Sequence, residues 1–86
     1  MPTLSTFYGI LIQMFWKDHP PPHFHAVYAE HEALIDIQTL AVIQGGLPRR
    51  ALALVLECAQ VHQAELLEDW QLCSQNQHPK KIQPLA

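Results

Sequence analysis

The chain is short of almost every residue type that would announce a chemistry. Only 15% of its 86 residues are charged while 49% are hydrophobic, which excludes the high-charge, low-hydrophobicity composition of disordered chains. Lys and Arg number 5 against 8 Asp and Glu, for a net charge of −3. That deficit argues against a sequence-independent nucleic-acid binder, whose affinity comes from cations neutralising phosphates. No apolar run reaches the roughly 18 residues of a membrane helix. The stretch from Tyr8 to Trp16 is too short to span a bilayer and has no basic leader of a signal peptide, so a soluble, cytoplasmic protein is expected. Serine is confined to Ser5 and Ser74, leaving a Ser/His/Asp triad little support. Cys58 and Cys73 fall on a helical stretch that would hold them about 22 Å apart, so they read as reduced core thiols. The length fits one small domain over residues 1–86, with a modest core.

Against this plain background stands the run His19-Pro20-Pro21-Pro22-His23-Phe24-His25. His23 and His25 are two apart, so on a strand they share a face with Cα atoms about 6.8 Å apart, a spacing that lets two imidazoles share a metal such as zinc. His19 lies across a stiff spacer. In straight polyproline its Cα would be about 12 Å from that of His23, so joint ligation needs a bend or a cis bond. Asp18, Glu30, His31 and Asp36 are candidate additional ligands. The metal set is therefore His23, His25 and His19, and the candidate functional surface is Asp18, His19, His23 and His25. The competing readings are a rigid recognition lip and a device that ends one strand and starts the next, with Phe24 in the core. Acid or base chemistry would also suit histidines, but a Cys/His pair would need Cys58 or Cys73 exposed beside the run.

The hydrophobic pattern predicts an α+β fold. Residues 7–17 read as a strand apolar on both faces, with Tyr8, Ile10, Ile12, Met14 and Trp16 on one side. Residues 23–29 and 32–38 alternate as a hairpin about a Glu30-His31 turn, and residues 41–44 are a candidate fourth strand. Pro48 suits a first helical turn, and no Gly or Pro interrupts the chain from there to about Gln75. Leu52, Val55, Leu56, Ala59, Leu66, Trp70 and Cys73 form one apolar stripe over that helix. Unbroken, residues 48–75 would run about 42 Å, too long for a globule of this size, so the helix must bend, break near His62, or project towards a partner. His62 reads as a core or kink residue and Trp70 as a core or dimer anchor. The tail, residues 78–86, is extended, with Ile82 and Leu85 able to tack it down. The expected architecture is an antiparallel three- to four-stranded meander packed against a long, bent C-terminal helix.

A second candidate site is Gly45-Gly46-Leu47-Pro48-Arg49-Arg50. Two glycines permit close backbone approach, a helix start offers unpaired N–H groups, and Arg49 and Arg50 add positive charge, which together suit phosphate or carboxylate. Cations in a first helical turn oppose the macrodipole and so hint at an anionic partner. Solvated arginines on an ordinary helix start are the plainer alternative.

Several segments resemble the family of domain of unknown function 4160: Met1-Pro-Thr, Phe7-Tyr-Gly, Asp18-His-Pro-Pro-Pro-His-Phe-His-Ala, Glu32-Ala-Leu-Ile-Asp-Ile, Leu47-Pro-Arg-Arg-Ala-Leu and Lys80-Lys-Ile. The resemblance implies a bacterial origin and a small protein partner of the domain of unknown function 2442 type, encoded alongside, in a toxin–antitoxin-like module acting by protein–protein contact. A homodimer is the alternative assembly. It marks His19, His23, His25, Arg49 and Arg50 as matching polar positions and carries no established activity. The rival functional class is a metal-dependent hydrolase or nuclease using His19, His23 and His25, with Arg49 and Arg50 holding phosphate. Two departures stand out: Thr39-Leu40-Ala41 where relatives have a Thr-Gly-Glu turn, and Gly46 where a basic residue is common.

Overall fold

The computed structural model describes residues 2–85. Five strands, β1 (Thr3–Phe7), β2 (Ile10–Gln13), β3 (His23–Tyr28), β4 (His31–Asp36) and β5 (Val42–Gly45), precede two helices, α1 (Arg49–Val61) and α2 (Gln63–Ser74). The sheet is an antiparallel meander in the order β1-β2-β3-β4-β5. The α+β class and meander expected from sequence are present, with five strands rather than three or four, and two helices rather than one long one.

The extra strand comes from a turn hidden in an apolar run. Residues 7–17 are not one strand: Tyr8 and Gly9, with φ of 51° and 78°, form the two-residue link of a β1–β2 hairpin that pairs Phe7 with Ile10. Positive φ at both central residues matches the twist of antiparallel strands, and Gly9 adopts it without steric cost. Ile10, Ile12 and Met14 still share one buried face, whereas Tyr8 and Trp16 are exposed. The β3–β4 turn lies one residue earlier than expected, at Ala29-Glu30, with Tyr28 paired to His31.

On β3 and β4 the alternation is strict. Phe24, Ala26, Ala33 and Ile35 point into the core, where Val55, Cys58, Ala59 and Leu66 of the helices meet them. Each large side chain so buried contributes about 1.5–3 kcal/mol. Both cysteines are free and buried, as expected.

The helical stretch breaks at His62 (φ −110°, ψ 24°). An unbroken rod of about 42 Å would overrun a body of 33 × 26 × 22 Å. His62 Nδ1 donates to Glu65 Oε1 at 2.7 Å, tying the break to the first turn of α2. Gln63 Nε2 donates to the carbonyls of Ile37 and Gln38, pinning that corner to the end of β4. No helix among the described residues is long and apolar enough to cross a membrane.

The tail is fastened as expected at Ile82, which is buried and donates its N–H to the Leu4 carbonyl at 2.8 Å. Just before it, the Lys80 N–H donates to Asp69 Oδ1 at 2.8 Å. Asp69 is 1% exposed, and its Oδ2 has no hydrogen-bond partner. Burial pushes its carboxyl above the ordinary 3.8, with Glu68 and Glu65 reinforcing the shift against the Lys80 bond. A raised folded-state value means that the native protein binds this proton more tightly than the unfolded chain. Its contribution to stability is therefore greatest in acid and declines as pH rises from about 3.9 through the folded value. Asp69→Asn keeps an oxygen acceptor for Lys80 and removes the titration. Relative to wild type it should gain stability from pH 4 towards pH 7, read as the difference in urea midpoints across that range; a pH-independent difference would contradict the account.

Candidate metal centre

β3 begins directly after the prolines, and its two-residue period puts His23 and His25 on the face opposite Phe24 and Ala26. Both are nonetheless buried, at 5% and 6% exposure. Phe15 stacks on the His25 ring with centroids 4.1 Å apart and planes at 11°. Trp70 of α2 lies 5.1 Å from the His23 ring. Two bonds bring the 15–18 segment to the end of α2: Trp16 Nε1 donates to the Gln77 carbonyl and the Lys17 N–H to that of Cys73.

The peptide bond between Pro20 and Pro21 is cis, yet the residue carried back to the histidine pair is Asp18. His23 Nε2 is 3.0 Å and His25 Nε2 3.3 Å from Asp18 Oδ2. One ligand atom from each of Asp18, His23 and His25 lies within 4.8 Å of the others. His19 is exposed and outside this group; it contributes its backbone N–H, which donates to Asp18 Oδ1 at 2.8 Å. The expectation that His19 ligates is corrected to that positioning role. Asp18 keeps more exposure than its partners, with 21% of its side chain open against 7% and 8% for the rings.

The remaining ring nitrogens fix the protons. His23 Nδ1 lies 2.8 Å from the Pro21 carbonyl, which can only accept, so Nδ1 carries hydrogen. His25 Nδ1 is 2.9 Å from Glu32 Oε2, likewise an acceptor. Each ring thereby turns its Nε2 towards the Asp18 carboxylate. Burial is the largest influence on Asp18 and opposes its charge. The His19 N–H, the His25 ring bond, the charge of His23 and the His23 ring bond together outweigh it and hold the carboxyl below 3.8. Two ring nitrogens and a carboxylate oxygen thus converge on one point, an arrangement that ring protons or a cation between them would satisfy.

Other sequence candidates fall elsewhere. Glu30 and His31 face each other at 3.6 Å in the exposed β3–β4 turn. Asp36 Oδ1 accepts the N–H groups of Gln38 and Thr39 in the next turn. That turn places Leu40 at φ 62° and closes with the Leu40 N–H on the Asp36 carbonyl, a left-handed position that favours glycine. Glu32 and Phe15, which help complete the surroundings of the pair, are not among the sequence candidates, and Trp70, expected as a core or dimer anchor, lies against the His23 ring instead.

The Gly45-Gly46 pair serves the sheet. Gly45 has φ 73°, and a Cβ there would lie 2.2 Å from the Glu32 carbonyl oxygen, which also accepts the Gly46 N–H. The close approach that Gly45 permits is thus to β4. Arg49 and Arg50 are exposed in the first turn of α1, which has no acidic residue and no side-chain cap. Arg50 shares a cleft with Tyr28. Tyr28 and His25 are three apart on β3 and so face opposite sides of the sheet; Arg50 and the histidine pair therefore do not form one site.

A profile of domain of unknown function DUF4160 matches residues 9–71. The chain belongs to this family. The match spans β2 to most of α2 and so includes Asp18, His23, His25, Glu32 and Trp70. No curated protein and no solved structure matches the chain, so the chemistry of this DUF4160 member has to be read from its own geometry. If Gly45 is structural, Gly45→Ala should cost about 2 kcal/mol or more from backbone strain alone. Gly46→Ala, whose Cβ would meet nothing within 4 Å, should cost far less. Urea denaturation of both variants checks the contrast.

Proposed function

We propose that this DUF4160 protein is a metal-binding domain in which Asp18, His23 and His25 hold one divalent ion of the zinc class, with a coordination position open on the Asp18 side. The observation that carries the reading is the convergence of His23 Nε2 and His25 Nε2 on Asp18 Oδ2, while the Nδ1 of each ring has an acceptor of its own. A tetrahedral ion with bonds of about 2.0–2.1 Å sets its ligand atoms about 3.3 Å apart, against 3.0 and 3.3 Å here. Two imidazoles and one carboxylate suit zinc, cobalt, nickel or ferrous iron better than magnesium or calcium. The Pro21 carbonyl and the Glu32 carboxylate play the outer role that orients ligating histidines. Three protein ligands and one open position is the pattern of a hydrolytic centre, in which an ion polarises substrate or activates water.

Isothermal titration of the metal-stripped protein with Zn²⁺ or Co²⁺ should give a stoichiometry of one, and Co²⁺ should develop the visible absorption of a tetrahedral site. Unfolding free energy should rise by about 2.7 kcal/mol at a free metal concentration of 100 Kd. His23→Ala and His25→Ala should abolish binding, His19→Ala should leave it, and Glu32→Gln should weaken it by about 10–100-fold. Absence of saturable binding, or equal binding by the double histidine variant, would sink the metal reading. In that case the three side chains form a structural cluster bridged by protons.

The partner-binding reading has its own support at the sheet edge. All four residues of β5 are exposed, with Val42 at 39% and Ile43 at 46%, and an unpaired apolar edge is a template for strand addition. A small protein partner, of the adjacent-gene type implied by the family, would add there. Ile43→Lys should then eliminate co-purification with that partner while leaving metal binding intact.

A further inference from the structure

At the far end of β3 from the histidines, a cleft of about 320 Å³ opens between the β1–β2 turn and the start of α1. Its volume sits at the lower end of the range for small-molecule pockets, about 300–1,000 Å³. Ile10, Ala51 and Leu54 give it apolar surface, Tyr8 and Tyr28 contribute aromatic rings, and Arg50 is the one charged residue lining it. Arg50 makes no ion pair with any described residue. The first turn of α1 adds the positive end of a helix whose amides have neither a side-chain cap nor an acidic neighbour.

Apolar walls, with one guanidinium that has no ion-pair partner and no lining carboxylate among the described residues, define a ligand by complementarity. We propose that this cleft binds a small organic carboxylate with a flat or branched apolar body, its carboxylate on Arg50 and its body between Tyr8 and Tyr28. A bare anion would leave the aromatic walls uncovered, and a neutral apolar molecule would leave the guanidinium without a partner. The planar fork of Arg matches a carboxylate with two parallel N–H bonds. The cleft lies on the face of β3 opposite His25, so this site stands or falls independently of the metal centre.

The 86-residue protein, metal-stripped and in a second series zinc-loaded, is titrated with phenylacetate, phenylacetamide and inorganic phosphate while amide chemical shifts are followed by two-dimensional NMR. Phenylacetate should bind saturably with a Kd of about 1 mM or tighter, moving the Tyr8, Tyr28, Arg50 and Ala51 amides in both series. Phenylacetamide should bind about tenfold more weakly, and Arg50→Gln should weaken phenylacetate by about the same factor. Arg50 is exposed, so the variant retains the fold, which its own spectrum verifies. The proposal is overturned if phenylacetate produces no saturable shift, if the amide or the Arg50→Gln protein binds equally well, or if phosphate alone binds as tightly.

Discussion

Two imidazole nitrogens aimed at one carboxylate oxygen set the terms for the rest of this structure. A buried ring nitrogen without a partner is costly, and both rings are almost fully enclosed. The Pro21 carbonyl and Glu32 satisfy one nitrogen of each ring and, in doing so, turn the other towards Asp18. His19 then matters through its backbone: its N–H holds Asp18 Oδ1 and leaves Oδ2 to face the rings. Phe15 and Trp70 cover the ring faces. The cluster is thus built from the prolines, β3, β4 and α2 together, so a binding event there bears on the packing of the whole domain.

β3 acts as the ruler. Its even alternation sends Phe24 and Ala26 into the core and His23 and His25 to the other side, so the register that buries the core also builds the site. A one-residue slip would exchange the two sets. That register is held by the Ala29-Glu30 turn on one side of β4 and, on the other, by the close approach of Gly45 to Glu32. Glu32 is therefore committed twice, through its carbonyl to the β5 strand end and through its carboxylate to His25.

The sequence makes the same-face histidine pair legible because it needs only a spacing of two and a strand. It makes the helix break near His62 legible as well, since a rod of that length cannot fit a body this small. Asp18 stands out as a nearby ligand, though its route back over the prolines does not. What stays hidden depends on register and on long-range contacts. A turn centred on Glu30-His31 would set His25 opposite Asp36; the actual Ala29-Glu30 turn sets it opposite Leu34 and brings Glu32 alongside on the diagonal. Phe15 and Trp70 reach the site from segments 8 and 47 residues away from His23, which periodicity cannot connect. β1 was obscured because the Tyr8-Gly9 turn sits inside a run of apolar residues, where Gly9 was the one signal for it.

The two edges of the sheet are treated differently, and Asp69 explains the asymmetry. A carboxylate with one unpartnered oxygen opposes folding when ionised, so its position needs a return. That return is the Lys80 N–H bond, which fixes the start of the tail and lets Ile82 bury its side chain and bond to Leu4. Lys81 Nζ adds a bond to the Thr3 carbonyl. β1 is consequently already engaged by this chain's own tail, whereas nothing among the described residues does the same for the outer side of β5. Growth of the sheet by a partner strand would have to displace the tail at β1, releasing Ile82 to water and leaving Asp69 without its donor. At β5 it would cover Val42 and Ile43 and break no contact that the fold already makes. The cost of a buried carboxylate thus gives the sheet a direction.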